Sequence, residues 1–122
     1  MAIYKVEIPF RLPSCNTYIN ACRKNKYAAA KLKRDVENDI GAFFSRLPKF
    51  ENPIKIHFHW IEENQKRDLD GISFSKKFIL DALVKFGKLK DDNRKHVYAF
   101  TDTFSYTKTG NSKVILIIEE DE

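Results

Sequence analysis

Little in this chain provides for cross-linking, membrane passage or modular flexibility. Of 122 residues only two are cysteines, Cys15 and Cys22, with six positions between them. That is neither the paired spacing of a zinc site nor the density of a disulfide scaffold, so both are expected to be reduced thiols. No run approaches the roughly eighteen apolar residues of a membrane span. The opening MAIYKVEIPF alternates polar and apolar residues and lacks the apolar core of a signal peptide. A cytoplasmic protein is expected. There are no internal repeats and no linker, and 43% hydrophobic residues suffice for one core. One domain, residues 1–122, is the expectation.

Charge is what the chain has in excess. The net charge is +5 and the surplus is uneven, because residues 1–50 carry ten Lys and Arg against four acids. A basic half points to a polyanionic partner, with nucleic acid foremost. Six basic residues and no acid stand between Arg23 and Arg34: Arg23, Lys24, Lys26, Lys31, Lys33 and Arg34. They read either as a phosphate-contacting surface or as a solvated helix face carrying a Lys31–Asp35 pair.

Hydrophobic periodicity supplies the framework. Ile3, Val6 and Ile8 mark a short strand ending at Pro9, and the stretch RLPSCNTYIN reads as turn-rich, presenting Asn16 and Tyr18 on irregular backbone. Leu32, Val36, Ile40, Phe43 and Leu47 form a helical stripe closed by Pro48. Residues 54–61, IKIHFHWI, are the strongest strand, with Ile54, Ile56, Phe58 and Trp60 on one face and His57 and His59 on the other. A second helix is predicted from Ile72 to Phe86, with Asp70 as a candidate N-cap and Gly87 in the left-handed C-terminal position. Residues 96–105 and 114–118 read as two strands forming a hairpin, followed by a frayed acidic tail. The order β-α-β-α-β-β implies an α+β fold, a mixed sheet covered by two helices.

The chemistry concentrates in Lys66 to Asp92. If extended, Asp68 and Asp70, two apart, point to one side. Two like charges side by side are costly unless a hard divalent cation such as Mg²⁺, which prefers oxygen ligands, joins them. Lys76 and Lys77 follow within two turns, and Asp91 and Asp92 form a second acidic pair beyond the helix. The bland reading makes Asp68 and Asp70 capping or surface-loop residues. The sum of DLD, a following lysine, a second acidic pair and a basic body points to metal-assisted phosphodiester hydrolysis.

These residues resemble the RusA-type Holliday junction resolvases of bacteria and their phages. The resemblance rests on LPSCNTY, KRDLDG, KKFILDAL, the glycine ending that helix, and the DD before the third strand. It implies a RusA-like endonuclease domain over 1–122, acting as a homodimer on four-way DNA junctions with Mg²⁺, Mn²⁺ being a possible substitute, and no nucleotide cofactor. By resemblance Asp68 and Asp70 match the paired acids of the family's RDxDN motif, Asp92 the third metal-binding acid, and Lys77 the essential lysine, with Asp91 and Lys76 as alternatives. Gly71 stands where the family usually has Asn. On charge rather than on any family motif, phosphate contacts are expected from Arg67, Lys24, Lys31 and Arg34, with Arg23 and Lys26 also available, and Asn16 is a further DNA-binding candidate.

Overall fold

The computed structural model describes residues 2–108 and 110–122. The chain forms β1 (Ala2–Ile8), α1 (Cys15–Lys24), α2 (Lys26–Gly41), a 3₁₀ turn (Ala42–Phe44), β2 (Ile54–Glu62), α3 (Leu69–Ser73), α4 (Lys76–Lys85), β3 (Val97–Tyr106) and β4 (Lys113–Glu120). It is an α+β fold whose four-stranded mixed sheet runs β1-β4-β2-β3. Two of the expected strand–helix alternations hold, but the helical layer has four α segments where two were expected.

The predicted hairpin of the last two strands does not form. β4 lies between β1 and β2, antiparallel to both, while β3 is an edge strand parallel to β2. The reason is legible in the side chains. In β4, Val114, Leu116 and Ile118 are buried in the core and Ile115 and Ile117 lie half-buried on the other face, so the strand suits a central place. In β3 the TDT run tolerates water, which suits an edge. The connection crosses the end of β2, where the Thr107 N–H donates to the Glu62 carbonyl and the Glu63 N–H to Ser112 Oγ.

Helices cover one face only. Ile54, Ile56, Phe58 and Trp60 point into a core completed by Ile40, Phe44, Phe78, Ile79 and Leu83, while His57 and His59 face the open side. There His57 bonds Thr101 and Thr103 and His59 bonds Ser105, all from β3. Hydroxyl partners on a solvated face account for both imidazoles.

Two further expectations are corrected. The stretch from Cys15 is a helix, because Ser14 caps it by accepting from the Thr17 N–H (3.3 Å), and Tyr18 packs on Phe74 and Phe78. Ser and Asn serve caps as readily as turns. The acidic tail is tied down: Glu120 Oε2 accepts from Glu51 N (2.9 Å) and Asn52 N (3.2 Å), and Tyr98 donates its hydroxyl proton to Asp121 Oδ1 (2.9 Å).

Candidate active site

The predicted single helix over 72–86 is broken into two. After α3 the backbone tightens into i to i+3 bonds, Ser75 N to the Ile72 carbonyl, Lys77 N to Phe74 and Phe78 N to Ser75. Ser75 is buried and donates its hydroxyl to the Pro13 carbonyl, which pins the break against the loop before α1. This kink separates Asp68 and Asp70, on the first turn of α3, from Lys76 and Lys77, on the first turn of α4.

Neither aspartate does a capping residue's work. Asp68, not Asp70, occupies the N-cap position of α3, and its side chain makes no cap hydrogen bond. Asp70 Oδ1 accepts only the N–H of the next residue, Gly71, at 2.9 Å. Both are exposed, and among the described residues neither has a cationic partner within ion-pair distance. Both line a groove of about 310 Å³ whose other walls include Ser14, Asn16, Lys66 and Phe74. Asn16 thus reaches the two acids across more than fifty positions of sequence, delivered by α1.

Asp81 and Asp92 are spent on lysines. Lys77 Nζ lies 3.1 Å from Asp81 Oδ1 and 3.5 Å from Asp92 Oδ2. Lys33 of α2 approaches the other Asp81 oxygen at 3.0 Å and Glu37 at 2.8 Å. Burial pushes the Asp81 carboxyl up, but hydrogen bonds from Lys33 and Lys77 outweigh it and hold the group below the usual carboxylate range. In return the hydrogen bond to Asp81 raises Lys77, and the one to Glu37 raises Lys33.

Lys76 is committed elsewhere. Its ammonium lies 2.8 Å from Asp102 Oδ2 and over the rings of Phe58 (5.2 Å) and Phe100 (4.9 Å). Asp102 Oδ1 accepts the Trp60 Nε1–H at 2.8 Å. This cluster ties α4 to the sheet and leaves Lys77 as the lysine turned toward acids at the surface. Asp91 Oδ1 accepts the Asp92 N–H and Oδ2 an amide proton of Asn93, so it shapes its own loop.

The expected DNA-contacting residues divide. Arg67 is locked inward, donating from Nε to Glu62 Oε1 (2.7 Å) and from Nη1 to the Leu12 carbonyl (3.0 Å). Lys24 ends α1, and Lys31 and Arg34 are exposed on α2, with Lys31 paired to Asp35 at 2.7 Å as anticipated. None of these three lines the groove of Asp68 and Asp70.

Among the described residues, no three His, Cys, Asp or Glu side chains gather closely enough to hold a metal ion. Asp68 and Asp70 both line one groove, but Asp70 lies inside α3 rather than on extended backbone, so the alternation expected to turn both carboxylates to one side does not apply. The set of three does not fit as arranged, since Asp92 sits on Lys77. The sequence did not single out Lys33, Trp60 and Asp102 for this region: Lys77–Asp81 and Lys33–Glu37 carry a local signal, the i,i+4 spacing, whereas Lys33–Asp81, Lys76–Asp102 and Trp60–Asp102 carry none.

No family model and no curated protein sequence matches this chain. No helix among the described residues is long and apolar enough to cross a membrane.

Proposed function

We propose that this chain is a Mg²⁺-dependent, structure-selective endodeoxyribonuclease that, as a homodimer, nicks opposing strands of a four-way DNA junction in recombination or repair. The observation that carries the reading is that Asp68 and Asp70 share one open groove with Asn16 and Lys66 and, among the described residues, have no ion-pair partner. Most acids at this end of the helical layer, Asp81, Asp92 and Asp102, are neutralised by lysines. Two carboxylates without an ion-pair partner among the described residues, in a groove that Lys66 and Arg67 also line, can still take a hard divalent cation. The remaining support is the resemblance of LPSCNTY, KRDLDG and KKFILDAL to RusA-type resolvases.

The chain's own groups have separable tasks. Exposed Lys24, Lys31 and Arg34 attract the phosphate backbone, giving salt-sensitive binding. Lys77, fixed by Asp81, presents an ammonium beside Asp92 that can stabilise charge developing on a phosphate. A symmetric dimer would supply two such sites to a two-fold junction.

A second reading, a junction-binding module without catalysis, is favoured by the engagement of Asp92 with Lys77. A labelled four-way junction separates the two. The nuclease reading expects paired nicks that require Mg²⁺ or Mn²⁺, abolished in Asp70→Asn while binding persists. Salt-sensitive binding with no nicking under any divalent ion would establish the module instead.

A further inference from the structure

Asp68 is shared between two grooves. Besides the groove it forms with Asp70, it lines a second, of about 330 Å³, between α3 and the end of edge strand β3. Ile72 and Phe104 form the apolar part of this second groove, Leu69 and Tyr106 stand at it, and Asn64 and Gln65 supply primary amides. Phe104 and Tyr106 are two apart on one strand and therefore project to one side, the side on which their register partners Trp60 and Glu62 are buried.

We propose that this second groove receives an unstacked nucleobase from the DNA strand whose phosphate lies against Asp68 and Asp70. The inference rests on the nuclease reading and adds a base-recognising subsite to it. Three observations select a base over other occupants: the groove's volume, its exposed apolar surface and its polar lining. The volume lies at the lower end of the range for small-ligand sites, about 300–1,000 Å³. Leu69 and Tyr106 are 56% and 45% exposed, apolar surface left in water that a flat ring would cover. Aromatic side chains stack on any base face, contributing about 1–3 kcal/mol per base.

Polar chemistry excludes a phosphate from the same place. Arg67, the cation in the lining, is held by Glu62 and the Leu12 carbonyl, and Glu62 is neutralised in turn. Asn64 Oδ1 accepts the Lys66 N–H, and among the described residues the Asn64 amide protons meet no acceptor. Free amide donors beside an aromatic wall suit the hydrogen-bonding edge of a base that has left its stack.

The test is a four-way junction carrying 2-aminopurine at one branch-flanking position at a time, in EDTA so that strands stay intact. Binding is followed by anisotropy and base environment by fluorescence. At one position or more, saturating protein should change the fluorescence at least twofold; Tyr106→Ala should remove more than half of that change, and Tyr106→Phe should retain it. Equal saturated signals for the native protein and Tyr106→Ala, or no responding position, would overturn the subsite. If such a junction is nevertheless bound and nicked with Mg²⁺, the nuclease reading survives alone. Failure to bind any junction would remove both.

Discussion

Lys77 and Asp92 meet across 3.5 Å, joining the first turn of α4 to the loop that follows that helix. The same ammonium is 3.1 Å from Asp81, so one lysine is shared between a half-buried acid on its own helix and an acid from the loop. Its neighbour Lys76 turns the other way, into the aromatic cluster around Asp102. Adjacent residues on a helix point about 100° apart, and here that rotation sends Lys76 to the sheet and Lys77 to the acids at the surface.

Substitution should therefore separate the two lysines. Lys76→Ala strips Asp102 of its cation and removes two ring contacts, and is expected to cost about 2 kcal/mol of stability. It should also shift the emission of Trp60, the single tryptophan, whose indole donates to Asp102. Lys77→Ala should leave the unfolding midpoint within a few degrees and reduce junction nicking by at least about 100-fold. Urea unfolding monitored by Trp60, beside a nicking assay, checks both. Nuclease loss in Lys76→Ala without destabilisation would reverse the assignment.

Asp81 links pH to stability. Its pKa lies below the unfolded value, so its contribution is present above the unfolded carboxylate pKa, near 4, and disappears as pH falls through the lower folded value. Lys33 and Lys77 have raised pKa values, and their contribution is present below about pH 10 and lost on further rise. Asp81→Asn is expected to cost about 1–2 kcal/mol at pH 7, with the difference from the native protein closing below pH 4. Paired denaturation curves at pH 7 and pH 3 measure it.

The two glycines flanking this region should respond oppositely. A Cβ at Gly71 would meet nothing within 4 Å, so Gly71→Asn, which introduces the residue usual at this place in the RusA-type proteins that KRDLDG resembles, should fold with stability within about 0.5 kcal/mol of the native protein. Gly87 has φ +75° and ends α4 with its N–H on the Val84 carbonyl and that of Lys88 on Leu83. Gly87→Ala should destabilise by about 1 kcal/mol through left-handed strain alone. Thermal melts of the two variants decide.

Glu120 closes the sheet at its far end. Because its carboxylate accepts two backbone N–H groups from the loop before β2, Glu120→Ala should cost about 1–2 kcal/mol, and Glu120→Gln less. Hydrogen exchange should quicken at the amides of Glu51 and Asn52. Unchanged protection there would mean that the tail is not tied to the loop in solution.

Much of the framework was legible in local pattern. The alternation of IKIHFHWI placed β2 and the face of each histidine, and the stripe from Leu32 to Leu47 marked α2, although the helix ends at Gly41 and a 3₁₀ turn carries Phe43. Gly87 was legible as the left-handed end of α4, and Lys31–Asp35 as a surface pair. Each of these follows from interactions within a few residues, where spacing along the chain and distance in space are the same thing.

Tertiary structure alone decided the rest. It put β4 between β1 and β2, since a strand apolar on both faces gains more from two neighbours than from a hairpin partner. It broke the second helix at Ser75, where a hydrogen bond to Pro13 from sixty-two positions away outweighs helical continuity. It also assigned the charges, drawing Asp92 to Lys77, Asp102 to Lys76 and Arg67 to Glu62, and leaving Asp68 and Asp70 open beside Asn16. The sequence determined which acids and bases this protein owns. Which of them neutralise one another depends on distances that arise only when helices and sheet pack, because a charge interacts with what is near it in space.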